Sequence, residues 1–66
     1  MKIERDVPFE VTKTQYEFLM YNFPIVVAGQ TPEDNADKKY KIKVWMMNYV
    51  PVIQYYLFTG ELPKIS

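Results

Sequence analysis

A cluster of lysines beside aromatic residues is the first group of side chains whose types and spacing could do chemistry. Lys39, Lys41 and Lys43 alternate along the chain and lead to Trp45. A basic strand interleaved with aromatic rings can follow a phosphate backbone and stack on bases. Lysines also commonly solvate an exposed sheet edge. Because eight basic and eight acidic residues cancel, the solvated edge is the favoured interpretation and a nucleic-acid contact the less favoured one.

An acidic segment just before these lysines has the alternation of a calcium-binding loop. Glu33, Asn35 and Asp37 could each present a side-chain oxygen. The EF-hand pattern also requires glycine at its sixth position and glutamate at its twelfth. Counted from Glu33, those positions hold Lys38 and Val44. The segment therefore predicts a solvated turn, and we expect no metal site.

The chain lacks most of the residue types that enzymes use for acid–base and nucleophilic chemistry. It has no histidine, no cysteine and only two glycines. Imidazole bases, thiol nucleophiles, thiolate zinc sites and disulfides are therefore excluded. A glycine-rich phosphate loop is excluded as well. We expect a protein that is not an enzyme and that has no catalytic residues and no cofactor.

Residues 1–11 contain no helical periodicity and form the first predicted element. Pro8 has no N–H and biases Val7 away from helix, so the segment is expected to be extended. It could be an edge strand or an arm lying across a neighbouring molecule. Val7 and Phe9 are its candidate contacts with a protein partner. Its five charged residues and the absence of an apolar core region indicate that it is not a secretory signal.

A helix is predicted over residues 12–23. Thr12 and Gln15 have the capping-box spacing that marks a helix start, and Pro24 ends the helix near Asn22. The apolar side is formed by residues that recur at helical spacing, namely Tyr16, Leu19, Met20 and Phe23.

A β-hairpin over residues 25–44 is predicted next, with an acidic loop at residues 30–38. Tyr40, Ile42 and Val44 alternate with lysines, which is the period of a half-buried strand. The alternative is a helix that begins at Lys41, which would make the protein an all-α helical hairpin. The hairpin is preferred, and the predicted fold class is α+β, with an extended N-terminal arm, a helix, the hairpin and a C-terminal helix.

The last predicted helix spans residues 46–59, with Asn48 as N-cap, Pro51 in the first turn and Gly60 as C-cap. Residues 49–58 are apolar on every face except at Gln54, and so small a chain has little else to cover them. Seventeen uncharged residues, 44–60, are at the lower limit for a membrane span, but Pro51 and the polar side chains make that interpretation less favoured. The predicted protein interface on this helix is Tyr49, Val52, Tyr55, Tyr56 and Phe58.

These observations indicate one small domain, residues 1–66, ending in a short tail over residues 60–66. The leading functional hypothesis is a structural or accessory subunit of a larger protein assembly, with a viral or phage particle as one setting. The alternatives are an inhibitor or regulator that docks on a single protein, and a nucleic-acid-binding module. We expect a protein partner or self-association, with nucleic acid and membrane less favoured, and a location in the cytoplasm or within a viral particle.

Overall fold

A computed structural model describes residues 2–63 of the chain. Two helices pack on one face of a three-stranded antiparallel sheet whose strand order is β1-β3-β2. The α+β prediction is confirmed, and the all-α alternative is not supported. The last three residues of the predicted tail lie outside the described residues. The elements in chain order are β1 (Phe9–Val11), α1 (Lys13–Asn22), β2 (Val27–Gln30), β3 (Tyr40–Val44) and α2 (Val50–Thr59).

Strand β3 lies in the centre of the sheet and pairs with both of the other strands. Ile42 is paired with Phe9 of β1 on one side and with Gly29 of β2 on the other. The predicted hairpin of β2 and β3 is therefore confirmed, and the rival helix from Lys41 is wrong. The alternating β-branched residues place Ile42 and Val44 on the core face, where both are fully buried.

Helix α1 begins and ends as its sequence predicts. The backbone N–H of Gln15 donates to Thr12 Oγ1 over 3.1 Å, and the Thr12 N–H donates to Gln15 Oε1 over 2.9 Å. Each side chain thus satisfies an N–H that the helix leaves unpaired. At the other end, the Phe23 N–H donates to Leu19 O over 2.9 Å, immediately before Pro24.

Helix α2 begins four residues later than predicted. Residues Met47–Tyr49 form a 3-10 turn, and Tyr49, rather than Asn48, is the N-cap of α2. Proline at position 51 is incompatible with an α-helix that begins at Met46, because it has no N–H to donate to the carbonyl of Met47. The Val50 N–H donates to that carbonyl instead, which is a 3-10 bond. The C-cap prediction is confirmed, since Gly60 adopts a left-handed φ of 80°.

The core draws on the N-terminal segment as well as on the helices and strands. Ile3 is only 4% exposed, and its backbone N–H donates to the side-chain oxygen of Gln54 over 2.6 Å. Residues 9–11 form the edge strand β1. The N-terminal segment is therefore anchored on its own domain through Ile3 and β1, and residues 4–8 between them are exposed. The remaining buried apolar residues are Val11, Leu19, Val26, Val27, Ile42, Val44, Ile53 and Tyr56.

Gly29 allows α1 to approach the sheet closely. A Cβ atom at this position would lie 2.6 Å from Tyr16 Cε1 and 2.8 Å from Met20 Sδ. The Tyr16 ring has little room to move away, because it also packs against Tyr40 with ring centroids 5.0 Å apart.

We expect Gly29→Ala to lower the free energy of unfolding by about 1–3 kcal/mol, the usual effect of overpacking a core. Urea denaturation followed by far-UV circular dichroism measures this change. Ala28→Ser is the matched control, because Ala28 is an exposed neighbour that points to the opposite face of β2, and its effect should stay within about 0.5 kcal/mol. Equal stability of Gly29→Ala and wild type would contradict the close approach.

Candidate protein-binding surface

One side of α2 faces the core of the domain. Ile53 is fully buried. Tyr56, three residues later, is 7% exposed and stacks on Phe18, with ring centroids 4.3 Å apart and an interplanar angle of 9°. Burial raises the pKa of the Tyr56 hydroxyl, because the phenolate would lose its hydration. This side accounts for the contribution of α2 to folding.

A row of apolar residues at three-residue steps, which we call the α2 ridge, begins at the N-cap and winds from the margin of the core to the exposed side of α2: Tyr49, Val52, Tyr55 and Phe58. Side chains three apart are neighbours on a helix, and such rows form the ridges by which helices pack on one another. Phe58 is 83% exposed, Tyr49 and Tyr55 are exposed, and Val52 is half-buried. Within residues 2–63, Phe23 contacts Tyr49 at the start of this row, whereas Phe58 at its end is left almost fully exposed.

Three shallow depressions meet at Tyr49, at the start of the ridge. The Tyr49 ring contacts Phe23 edge to face, with centroids 5.9 Å apart and an interplanar angle of 68°. The most apolar depression has a volume of about 210 Å³ and is lined by Phe23, Tyr49, Val52, Leu62 and Pro63. The other two are lined by residues 22–26 with Tyr49 and by residues 46–49. No lining residue of the three depressions carries a charge.

The predicted interface residues fall into three groups. Tyr49, Val52, Tyr55 and Phe58 are brought together in the α2 ridge. Tyr56 is corrected from interface to core, because it stacks on Phe18 inside this chain. Val7 is about half exposed and Phe9 packs against the core from β1. Neither Val7 nor Phe9 lines any of these three depressions.

Sequence reasoning missed the residues that extend the apolar surface beyond α2. Ile25, Met47 and Leu62 are all exposed and all line the depressions around Tyr49. The sequence assigned Ile25 to a strand and Met47 to a helix, and either assignment would have allowed burial. In the sequence, the preceding Pro24 indicates that Ile25 lies outside a regular element. In the structure, Ile25 lies in the turn between α1 and β2.

Two of the three candidate lysines, Lys39 just before β3 and Lys41 within it, are paired with carboxylates. Lys39 Nζ is 3.3 Å from Glu10 Oε1, and Lys41 Nζ is 2.6 Å from Asp37 Oδ2. The hydrogen bond from Lys41, and then its charge, hold the pKa of Asp37 below its usual value. Lys43 makes no ion pair within residues 2–63, and Trp45 is partly exposed. These neighbours weaken the case for a phosphate backbone along the strand.

The loop between β2 and β3 is held by its own side chains. The Asn35 side-chain amide donates to the carbonyl oxygens of Thr31 and Lys39, over 3.1 and 2.9 Å. Asp34 accepts from the Thr31 N–H over 2.9 Å. Within residues 2–63, no group of three acidic, histidine or cysteine side chains could hold a metal ion. The same part of the chain contains no helix long and apolar enough to cross a membrane.

Comparisons with known proteins do not assign the chain to a family. No protein-family model matches it, and neither a curated protein nor a solved structure is significantly similar. The candidate surface therefore depends on the geometry and chemistry of the chain itself.

Proposed function

We propose that this protein is a non-enzymatic subunit of a protein assembly, which it joins through the α2 ridge and the depressions around Tyr49. The observation that carries this proposal is the pair of unlike sides of α2. One side holds Ile53 in the core, while the opposite side keeps Phe58 83% exposed. Moving a phenylalanine side chain out of water stabilises a protein by about 1.5–3 kcal/mol. The isolated chain does not obtain this stabilisation at Phe58, whereas burial against a partner would provide it.

The composition of the surface supports a protein as the occupant. Aromatic residues and methionine are enriched at the centres of protein interfaces, whereas lysine, glutamate and aspartate are depleted there. The α2 ridge contributes two tyrosines and a phenylalanine, and Met47 lies next to Tyr49. A tyrosine can bury its ring against a partner while its hydroxyl stays hydrated at the rim. The absence of histidine and cysteine from the chain supports a binding role over a catalytic one.

Site-specific photo-cross-linking in the cells that produce the protein tests this proposal. A photoreactive phenylalanine analogue at position 58 should yield a discrete protein adduct. The matched control places the analogue at position 21, because Tyr21 is an aromatic residue with 86% exposure that lines none of the depressions. We expect a position-58 adduct that is absent at position 21. Equal labelling at both positions, or no protein adduct at position 58, would contradict the proposal.

A further inference from the structure

We propose that Met47 is a site of oxidation by hydroperoxides, and that its sulfoxide weakens the assembly without unfolding the domain. The effect on the assembly rests on the proposed function, whereas the oxidation itself does not. The three methionines within residues 2–63 differ in their surroundings. Met47 is 62% exposed and Met46 is 37% exposed, while Met20 packs against the core.

Met47 is accessible to a small oxidant. It lies in the 3-10 turn before α2 and lines a shallow depression of about 270 Å³, together with Met46, Asn48 and Tyr49. That volume admits several small molecules at once, since a water molecule takes up about 30 Å³ in the liquid. Oxidation requires contact between the oxidant and the thioether sulfur, so the most exposed methionine should react first.

The reaction is a two-electron transfer of oxygen to sulfur. A lone pair of the Met47 sulfur attacks one oxygen of the hydroperoxide, an S–O bond forms and the O–O bond breaks. Sulfur is oxidised to the sulfoxide. The second peroxide oxygen is reduced, takes up the proton of the transferred oxygen, and leaves as water or, from an organic hydroperoxide, as an alcohol.

Met20 is the internal reference, because its sulfur is packed between α1 and the sheet. A Cβ atom at position 29 would lie only 2.8 Å from Met20 Sδ, which places this sulfur against the backbone of β2. Peroxide therefore reaches Met20 less readily than Met47. A sulfoxide at Met20 would also insert a polar oxygen into an apolar contact, which would destabilise the domain.

The domain tolerates an oxygen on Met47, since this side chain lies outside the core. The contribution of Met47 to the turn comes from its backbone carbonyl, which accepts the hydrogen bond of the Val50 N–H. In the free chain the sulfoxide oxygen can stay hydrated. Oxidation at this position therefore leaves the fold intact.

The effect on the assembly follows from the position of Met47 beside Tyr49. Both line the same depression, whose lining residues carry no charge. Covering a sulfoxide with a partner removes water from a strongly polar oxygen, and this oxygen has no hydrogen-bond donor prepared for it. Oxidation of the free chain should therefore weaken its binding to the assembly at least about tenfold.

Peptide mass spectrometry of the purified chain after treatment with hydrogen peroxide tests the site. We expect the sulfoxide at position 47 to form at least about tenfold faster than at position 20, with position 46 between them. The two outer rates should become equal in urea, and circular dichroism should show that the chain oxidised at position 47 is folded. Equal rates at positions 47 and 20 in the folded chain, or unfolding on oxidation of Met47, would overturn the proposal.

The effect on the assembly is tested with the photoreactive analogue at position 58. The purified chain, untreated or oxidised once, is titrated into an extract of producing cells that lack the wild-type gene. Oxidation should raise the concentration for half-maximal adduct formation at least about tenfold. Met47→Leu keeps an apolar side chain of similar size and should be insensitive to the peroxide treatment, whereas Met20→Leu should respond like the wild type.

The outcomes separate the two proposals. Unchanged adduct formation by the oxidised wild-type chain would overturn the effect of oxidation and leave the proposed function intact. A lack of any adduct from the untreated chain would overturn the proposed function and, with it, the effect on the assembly.

Discussion

Ile53→Ala is expected to lower the free energy of unfolding by about 2–5 kcal/mol, the range for truncating a buried aliphatic residue. Ile53 is fully buried, on the side of α2 that faces the core. Total stability for a chain of this length is about 3–10 kcal/mol, so this one change removes a large part of it. The loss should be severe because few other residues of so small a core can close around the cavity.

Ile25→Ala is the matched control for this prediction. It removes the same atoms from an isoleucine that is 73% exposed, so its effect should stay within about 0.5 kcal/mol. Urea denaturation of both variants gives the comparison. Similar losses in the two variants would mean that α2 is not packed on the sheet in the way described.

Ile3→Ala is expected to have the second-largest effect, about 2–4 kcal/mol. The physical reason is that the N-terminal segment closes one side of the core. Ile3 is almost completely buried, and its N–H donates to the Gln54 side chain of α2, 51 residues away in the chain. Loss of the buried Ile3 side chain also loosens the segment that leads into β1, which is an edge strand with a single neighbour.

Val7→Ala is the control in the same segment, because Val7 is about half exposed and outside the core cluster. Thermal unfolding should show a clear decrease in melting temperature for Ile3→Ala and little change for Val7→Ala. If Ile3→Ala unfolded at the wild-type temperature, the N-terminal segment would have to be an arm that is free of its own domain.

Local signals in the sequence predicted the boundaries of several elements correctly. The capping box of Thr12 and Gln15, the alternation of Tyr40, Ile42 and Val44, and the glycine at position 60 each specify a local backbone geometry. In each case the residues that carry the signal are close together in the chain. The structure confirms all three.

Features that depend on distant contacts could not be predicted from the sequence. An apolar helix gives no periodicity from which to choose its buried side, so Tyr56 was assigned to the interface although it stacks on Phe18. Ile3 is buried in the core, and its N–H donates to Gln54, which is 51 residues away in the chain. The requirement for glycine at position 29 follows from the approach of Tyr16, which only the packed fold reveals.

The sequence predicted the residues of the candidate surface that lie on α2 but not those in the neighbouring turns. Four residues of α2 were identified because the helix has too many apolar residues for a small core. The neighbouring Ile25, Met47 and Leu62 lie in turns, where a single apolar residue is common and gives no signal. Their position around Tyr49 extends the apolar surface beyond the residues of the α2 ridge.

The central claim is that the α2 ridge is covered by protein when the chain is in its natural assembly. Thiol labelling of Phe58→Cys in intact cells tests this most directly, with Tyr21→Cys as the reference and with denatured samples to define full labelling. Since the wild-type chain has no cysteine, each rate belongs to a single position. We predict at least tenfold slower labelling at position 58 than at position 21, with equal rates after denaturation. Equal rates in intact cells would contradict the claim.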